Sequence, residues 1–132
     1  MKKYTILCVD DDFDDLQLLH ETLKDTREDF EVMEAHNGKQ AIEMLENLKN
    51  EGVRPCLIIL DINMPVLNGK ETLTLIKKDE TLKDIPVVVF TTSGSNSDKN
   101  FCGAHGVEMV TKPPNFQHFK NVVQKLLRFC ED

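Results

Sequence analysis

The chain has 132 residues, room for one domain with a real core and too little for two ordinary ones. It is 40% hydrophobic and 30% charged, as in soluble globular proteins, and its formal net charge of -7 argues against nucleic acid or an anionic membrane as partner, since both need a basic face. No apolar run approaches the roughly 20 residues that span a bilayer, and the start MKKYTILCVDDD reaches carboxylates too soon for a signal peptide, so a cytoplasmic location is expected.

Strand and helix patterns alternate five times along the chain. The first strand is predicted over 4–9 (YTILCV) and the first helix over about 14–25, with Leu16, Leu19 and Leu23 on one face. A more polar strand follows over 31–36, as suits a sheet edge, then a helix over 38–50 presenting Ala41, Ile42, Leu45 and Leu48. The run LIIL at 57–60 is a third strand and 68–78 a third helix. The stretch 86–91 (PVVVFT) is a fourth strand, followed by a short helix over 97–104 after the turn-rich SGSNSDKN. A fifth strand over 107–111 and a helix over 115–130 with Phe119, Val122, Val123, Leu126 and Leu127 close the pattern. The first, third and fourth strands are nearly continuous apolar runs, the mark of parallel strands covered on both faces. The alternation predicts an α/β, doubly wound parallel sheet with ligands at the carboxyl ends of its strands.

The residues that end those strands carry the chemistry. Asp10 and Asp11 close the first strand, Asp61 the third, Thr91 the fourth, and Lys112 follows the fifth. Carboxylates held close together cannot all stay ionised unaided. The usual help is a hard divalent cation, and Mg²⁺ takes one or two carboxylates together with waters and phosphate oxygens. The pattern points to phosphoryl chemistry on an aspartate. The four cysteines, Cys8, Cys56, Cys102 and Cys130, form no CxxC pair and no zinc spacing, and read as reduced thiols acting as small hydrophobes. His20, His36, His105 and His118 are scattered, with no acid–base partner pattern, and read as surface or edge residues.

Four segments, VDD at 9–11, LDINMPVLNG at 60–69, FTTS at 90–93 and TKP at 111–113, resemble in order and placement the receiver domain of two-component response regulators. The resemblance runs nearly end to end. It implies the flavodoxin-like receiver fold, five parallel strands in the order 2-1-3-4-5 with five helices. It implies a single receiver domain over 1–132 without an output domain. Asp61 matches the phosphoacceptor, Asp11 the direct metal ligand, Asp10 a ligand through a metal water, and Asn63 a backbone-carbonyl ligand. The cofactor implied is Mg²⁺, with Mn²⁺ able to substitute. Thr91 matches the hydroxyl residue that contacts a phosphoryl oxygen, and Lys112 the lysine that pairs with the acceptor. Met64, Pro65 and Gly69 fit the loop after the acceptor. Pro113 implies a cis Lys112–Pro113 bond that aims the lysine. Asp12, Asp14 and Asp15 are expected to cap the first helix and complement its dipole.

One position departs from the family. Met109 stands three residues before Lys112, where the family commonly has Tyr or Phe. The DINMP and FTTS segments and the polar loop 93–100 also resemble single-domain regulators paired with bacterial phytochrome kinases. The implied donor is a histidine kinase or histidine phosphotransfer protein. The implied output is a downstream protein bound at the face of the fourth helix, fifth strand and fifth helix. Phe116, Phe119 and Phe129 belong to that last helix, either as core or as a patch through which a homodimer is the simplest assembly. The family's regulators are not enzymes beyond their own phosphorylation and dephosphorylation. Three rivals are weighed. A Mg²⁺-dependent aspartyl phosphatase carries a second acid two residues after its nucleophile, where Asn63 stands here. A flavin module would place its phosphate against DDDFDD, which repels it. A degenerate receiver acting only as a binding module does not need an intact acidic site.

Overall fold

The computed structural model describes residues 4–26, 29–64 and 66–130. In chain order the elements are β1 (Tyr4–Val9), α1 (Phe13–Thr26), β2 (Phe30–Ala35), α2 (Gly38–Asn50), β3 (Leu57–Leu60), α3 (Gly69–Lys78), β4 (Val87–Thr91), α4 (Asn96–Ala104), β5 (Glu108–Thr111), α5 (Phe116–Leu126) and a terminal 3₁₀ turn, Leu127–Cys130. All strand pairs are parallel and the order is β2-β1-β3-β4-β5. The order and class are those expected, with element ends moved by at most one residue except at the end of the last helix.

Side chains alternate across each strand, so the sheet has two cores. Leu7, Val9, Ile58, Leu60, Val87 and Val89 face one side, with Ala41 and Leu45 of α2, Leu73 and Ile76 of α3, and Cys102 of α4. Ile6, Cys8, Leu57, Ile59, Val88 and Phe90 face the other, with Leu16, Leu19 and Leu23 of α1 and Phe119, Val123 and Leu126 of α5. Because β2 and β3 lie on opposite sides of β1, the winding reverses between β1 and β3, and a crevice opens there at the strands' carboxyl ends. The register pairs Val9 with Leu60 and Thr91 with Thr111. Asp10 and Asp61 are therefore set side by side, and Lys112 leaves the sheet one residue beyond Thr91.

Helix starts at this edge are capped locally. Asp12 Oδ1 accepts from the amides of Asp14 at 2.9 Å and Asp15 at 3.2 Å. Asn37, Ser95 and Asn115 cap α2, α4 and α5, and Asn68 forms a reciprocal capping box with Glu71 on α3. The expected fifth helix to residue 130 ends as an α-helix at Leu126, where the chain tightens into the 3₁₀ turn.

The cysteine expectation is corrected in part. Cys56 and Cys130 form a disulfide, with Cα atoms 5.1 Å apart, inside the usual range. Folding brings the end of the last turn beside the start of β3, across 74 residues of sequence, and spacing alone does not reveal such a pair. Cys8 and Cys102 are buried free thiols, as expected. Burial pushes the Cys8 thiol far up, with the charges of Glu34 and Asp10 adding to it, so it is inert.

Candidate functional site

Backbone hydrogen bonds carry the sheet past its last paired residues and seat the acidic cluster. Asp10 N donates to Ala35 O and Asp61 N to Val9 O, both at 3.0 Å, and Lys112 N donates to Thr91 O at 2.8 Å. Asp10, Asp61 and Lys112 are nearly buried at 2%, 7% and 8% exposure, while Asp11 is exposed at the mouth. One carboxylate oxygen from each of Asp10, Asp11 and Asp61 lies within 4.8 Å of the others.

The Lys112 ammonium sits among the carboxylates. It donates to Asp10 Oδ2 at 2.6 Å, Asp15 Oδ2 at 2.8 Å and Asp61 Oδ2 at 3.3 Å. The remaining oxygens are held by backbone. Asp10 Oδ1 accepts from Asp12 N at 3.0 Å and Asp61 Oδ1 from Asn63 N at 3.2 Å. Burial pushes the Asp10 carboxyl up to about 6 despite the hydrogen bonds from Lys112 and the Asp12 amide, and the Asp61 charge adds to the rise. Burial pulls the Lys112 ammonium down, but its hydrogen bonds to Asp10 and Asp15 prevail and it stays charged. One ammonium facing Asp10, Asp15 and Asp61, with Asp11 beside them, leaves an excess of negative charge. Such an all-oxygen donor set fits a hard divalent cation.

Two glycines let the acceptor loop pack. A Cβ on Gly69 would lie 2.2 Å from Asp61 O, so the backbone there comes closer than a side chain allows. A Cβ on Gly38 would lie 2.0 Å from Thr72 Oγ1 and 2.2 Å from Leu67 O, and Gly38 N donates to that oxygen at 3.1 Å. Gly38 was not singled out from sequence. Its neighbour is the loop beyond β3, where Val66 and Leu67 take left-handed φ angles of 48° and 64°. Pro65, expected in this loop, lies outside the described residues.

Several expectations are refined. No peptide bond among the described residues is cis, so the Lys112–Pro113 bond is trans. Asp15 is more than a helix-start residue, because α1 turns its carboxylate onto Lys112. Thr91 is fully buried and its Oγ1 accepts from Ser93 N at 3.2 Å. Met109 is half-buried and packs against the core under α4. Phe119 is core, Phe129 is partly buried and Phe116 is exposed. His20 does have an acidic partner, Glu34, at 3.1 Å across α1 and β2, a pair that sequence distance conceals. His36 stacks on Phe13 with ring centroids 4.5 Å apart, and His105 Nδ1 lies 2.9 Å from Phe101 O.

Comparison with known proteins gives consistent relatives. The family model described as "Response regulator receiver domain" matches residues 6–124. The response regulator Rcp1 of Synechocystis is 40% identical over 95 residues, 70% of this chain and 65% of that protein. The probable methanogenesis regulatory protein FilR2 of Methanothrix harundinacea is 35% identical over 96 residues, 70% of this chain and 61% of that protein. This chain thus spans somewhat less than two thirds of the length of either. Among solved structures, the Mn(2+)-bound form of Rcp1 superposes with a TM-score of 0.86 at 35% identity, covering 97% of this chain and 94% of that one. The phosphorylated cyanobacterial phytochrome response regulator RcpA superposes with a TM-score of 0.88 at 33% identity, covering 96% and 92%. RcpA is, by its name, the narrower kind of relative that the DINMP and FTTS segments resemble. Among the described residues, no helix is long and apolar enough to cross a membrane.

Proposed function

Because this chain belongs to the receiver domain family of response regulators, we propose that it accepts a phosphoryl group on Asp61 from the phosphohistidine of a kinase or phosphotransfer protein. The observation that carries this is the placement of the Lys112 ammonium, 3.3 Å from Asp61 Oδ2 and 2.6 Å from Asp10 Oδ2, within a carboxylate cluster. A carboxylate oxygen of Asp61 attacks phosphorus. The P–N bond to the donor's imidazole breaks, and its electron pair stays on the departing nitrogen. Carboxylates are weak nucleophiles, so the rate comes from positioning and charge neutralisation. Asn63 N and Lys112 Nζ hold the two Asp61 oxygens, and the Thr91 hydroxyl would donate to a phosphoryl oxygen. Asp10, Asp11 and Asp61, with the Asn63 carbonyl, would hold Mg²⁺ or Mn²⁺, which when bound neutralises charge on the phosphoryl oxygens. Hydrolysis of the acyl phosphate returns the carboxylate.

The output is a population shift at the face of α4, β5 and α5, read by a downstream protein or by a second copy of the chain. Thr91 and Lys112 leave the sheet beside that face, and Phe116 is exposed at the start of α5. The setting for such an exchange is the cytoplasm, where kinases present phosphohistidine.

Two outcomes are expected. Acetyl phosphate with Mg²⁺ adds one phosphoryl group per chain by intact mass, and Asp61→Asn takes none; labelling of that variant would move the acceptor elsewhere. Mg²⁺ at a hundred times its Kd raises stability by about 2.7 kcal/mol, seen as a higher melting temperature, and Asp11→Asn loses the rise. Equal shifts in both proteins would remove Asp11 from the metal site.

A further inference from the structure

Of the three carboxylates that hold Lys112, Asp15 alone stands on a helix, in the first turn of α1. Its side chain is not needed to start that helix, because Asp12 Oδ1 accepts from the amides of both Asp14 and Asp15. Nor does it belong to the carboxylates that converge for a cation, which are Asp10, Asp11 and Asp61. It is turned instead onto the ammonium, 2.8 Å away and 97 residues along the chain. A lysine ammonium has three N–H donors. Here there is one carboxylate for each, Asp10 at 2.6 Å, Asp15 at 2.8 Å and Asp61 at 3.3 Å. The contact with Asp61 is the longest, so Asp10 and Asp15 set where the ammonium sits. With two donors pinned, the direction of the third is fixed, and it falls on Asp61. Asp15 and Lys112 also border a cavity of about 430 Å³ between α1 and α5, with Leu18, Phe116 and Phe119 in its wall. An ammonium not held by Asp15 has room there to leave Asp61.

We infer that Asp15 is a positioning residue for phosphoryl transfer, holding Lys112 Nζ against Asp61 when Asp10 and Asp61 are engaged with a divalent cation. The inference rests on Asp61 as phosphoacceptor. Asp10 and Asp61 would share their oxygens with that cation, which weakens their hold on a neighbouring ammonium. Asp15, outside that donor set, keeps its own hold, and a hydrogen bond between two charged groups is a strong one. Lys112 then meets the phosphoryl oxygens from a fixed place, with no reorganisation needed as charge shifts onto them.

The test compares the wild-type chain with Asp15→Asn, which keeps the shape of the side chain and removes its charge. With acetyl phosphate and saturating Mg²⁺, the initial rate of labelling at Asp61 is expected to fall on the order of tenfold, the scale of one hydrogen bond between charged groups. Asp15→Glu, which keeps a carboxylate, recovers most of that rate. In the Lys112→Met background Asp15→Asn changes the rate by less than about twofold, because its effect runs through the ammonium. A merely structural role predicts the same loss in both backgrounds. A second measurement reads the lysine itself and needs neither turnover nor the Lys112→Met variant. Acylation of Lys112 by an amine-reactive ester, followed by peptide mass, rises several-fold in Asp15→Asn, with Mg²⁺ and in a chelator, while the other lysines keep their rates. Labelling of Asp15→Asn at or above the wild-type rate, or acylation of its Lys112 at the wild-type rate, overturns the positioning role and leaves the acceptor in place. Absence of a phosphoryl group on the wild-type chain overturns the acceptor and the positioning role with it.

Discussion

Lys112→Met is expected to lower the stability of the metal-free chain by about 3–5 kcal/mol at neutral pH, the usual result of removing one partner from a buried ion pair. Lys112 is 8% exposed and its ammonium is bonded to Asp10, Asp15 and Asp61. Without it, crowded carboxylates face each other with no cation between them. Their repulsion in a poorly solvated crevice is worth far more than a surface pair, which contributes about 0–1 kcal/mol. Urea unfolding in a chelator measures the loss. Millimolar Mg²⁺ should restore part of it, since a divalent cation answers the same excess charge. A deficit below about 1 kcal/mol in the chelator would place Lys112 among ordinary surface lysines. Restoration by Na⁺ at equal ionic strength would replace a specific cation site with simple screening.

Loss of the Cys56–Cys130 disulfide is the second large effect. The bond closes a loop across a sequence separation of 74, and the chain-entropy account gives such a loop about 4 kcal/mol of stabilisation. For a domain of this size that corresponds to a fall in melting temperature of roughly 10–20 °C. The comparison is the oxidised chain against the same chain in excess dithiol, with the Cys56→Ser, Cys130→Ser double variant as control. The disulfide ties the terminal turn to the start of β3, at the end of the sheet opposite the crevice. Labelling of Asp61 should therefore persist after reduction, at a temperature where the reduced chain is folded. Such bonds are rare where thiols are kept reduced, so in the cytoplasm proposed above the reduced chain is the form that must carry the phosphoryl group. Melting curves that coincide in oxidised and reduced protein would mean the loop is not closed in solution.

What could be read from sequence, and what could not, follows from the range of the interactions. Parallel strands buried on both faces leave runs such as LIIL and PVVVF, and amphipathic helices leave their stripes, so the alternation is plain in the chain. Asp10, Asp61, Thr91 and Lys112 all end or follow strands, so a parallel sheet must bring them to one edge. The contacts that sequence did not reveal depend on side-chain directions between distant segments. Asp15 reads as a helix-start acid until α1 is seen to aim it at Lys112. Gly38 reads as an ordinary residue of an Asn-Gly helix start until Leu67 is found against it. The Cys56–Cys130 bond depends on where the last turn docks. Pro113 permits a cis bond but does not require one, since most X–Pro bonds in folded proteins are trans, as Lys112–Pro113 is here.

The central claim is that the phosphoryl group resides on Asp61, and chemical mapping tests it most directly. After reaction with acetyl phosphate and Mg²⁺, borohydride reduces an acyl phosphate to the alcohol, turning the modified aspartate into homoserine. Peptide sequencing should find homoserine at position 61 alone, in the wild-type chain and not in an unphosphorylated control. Homoserine at position 10, 11 or 12, or a phosphoryl group that survives on a histidine or serine, would contradict the assignment.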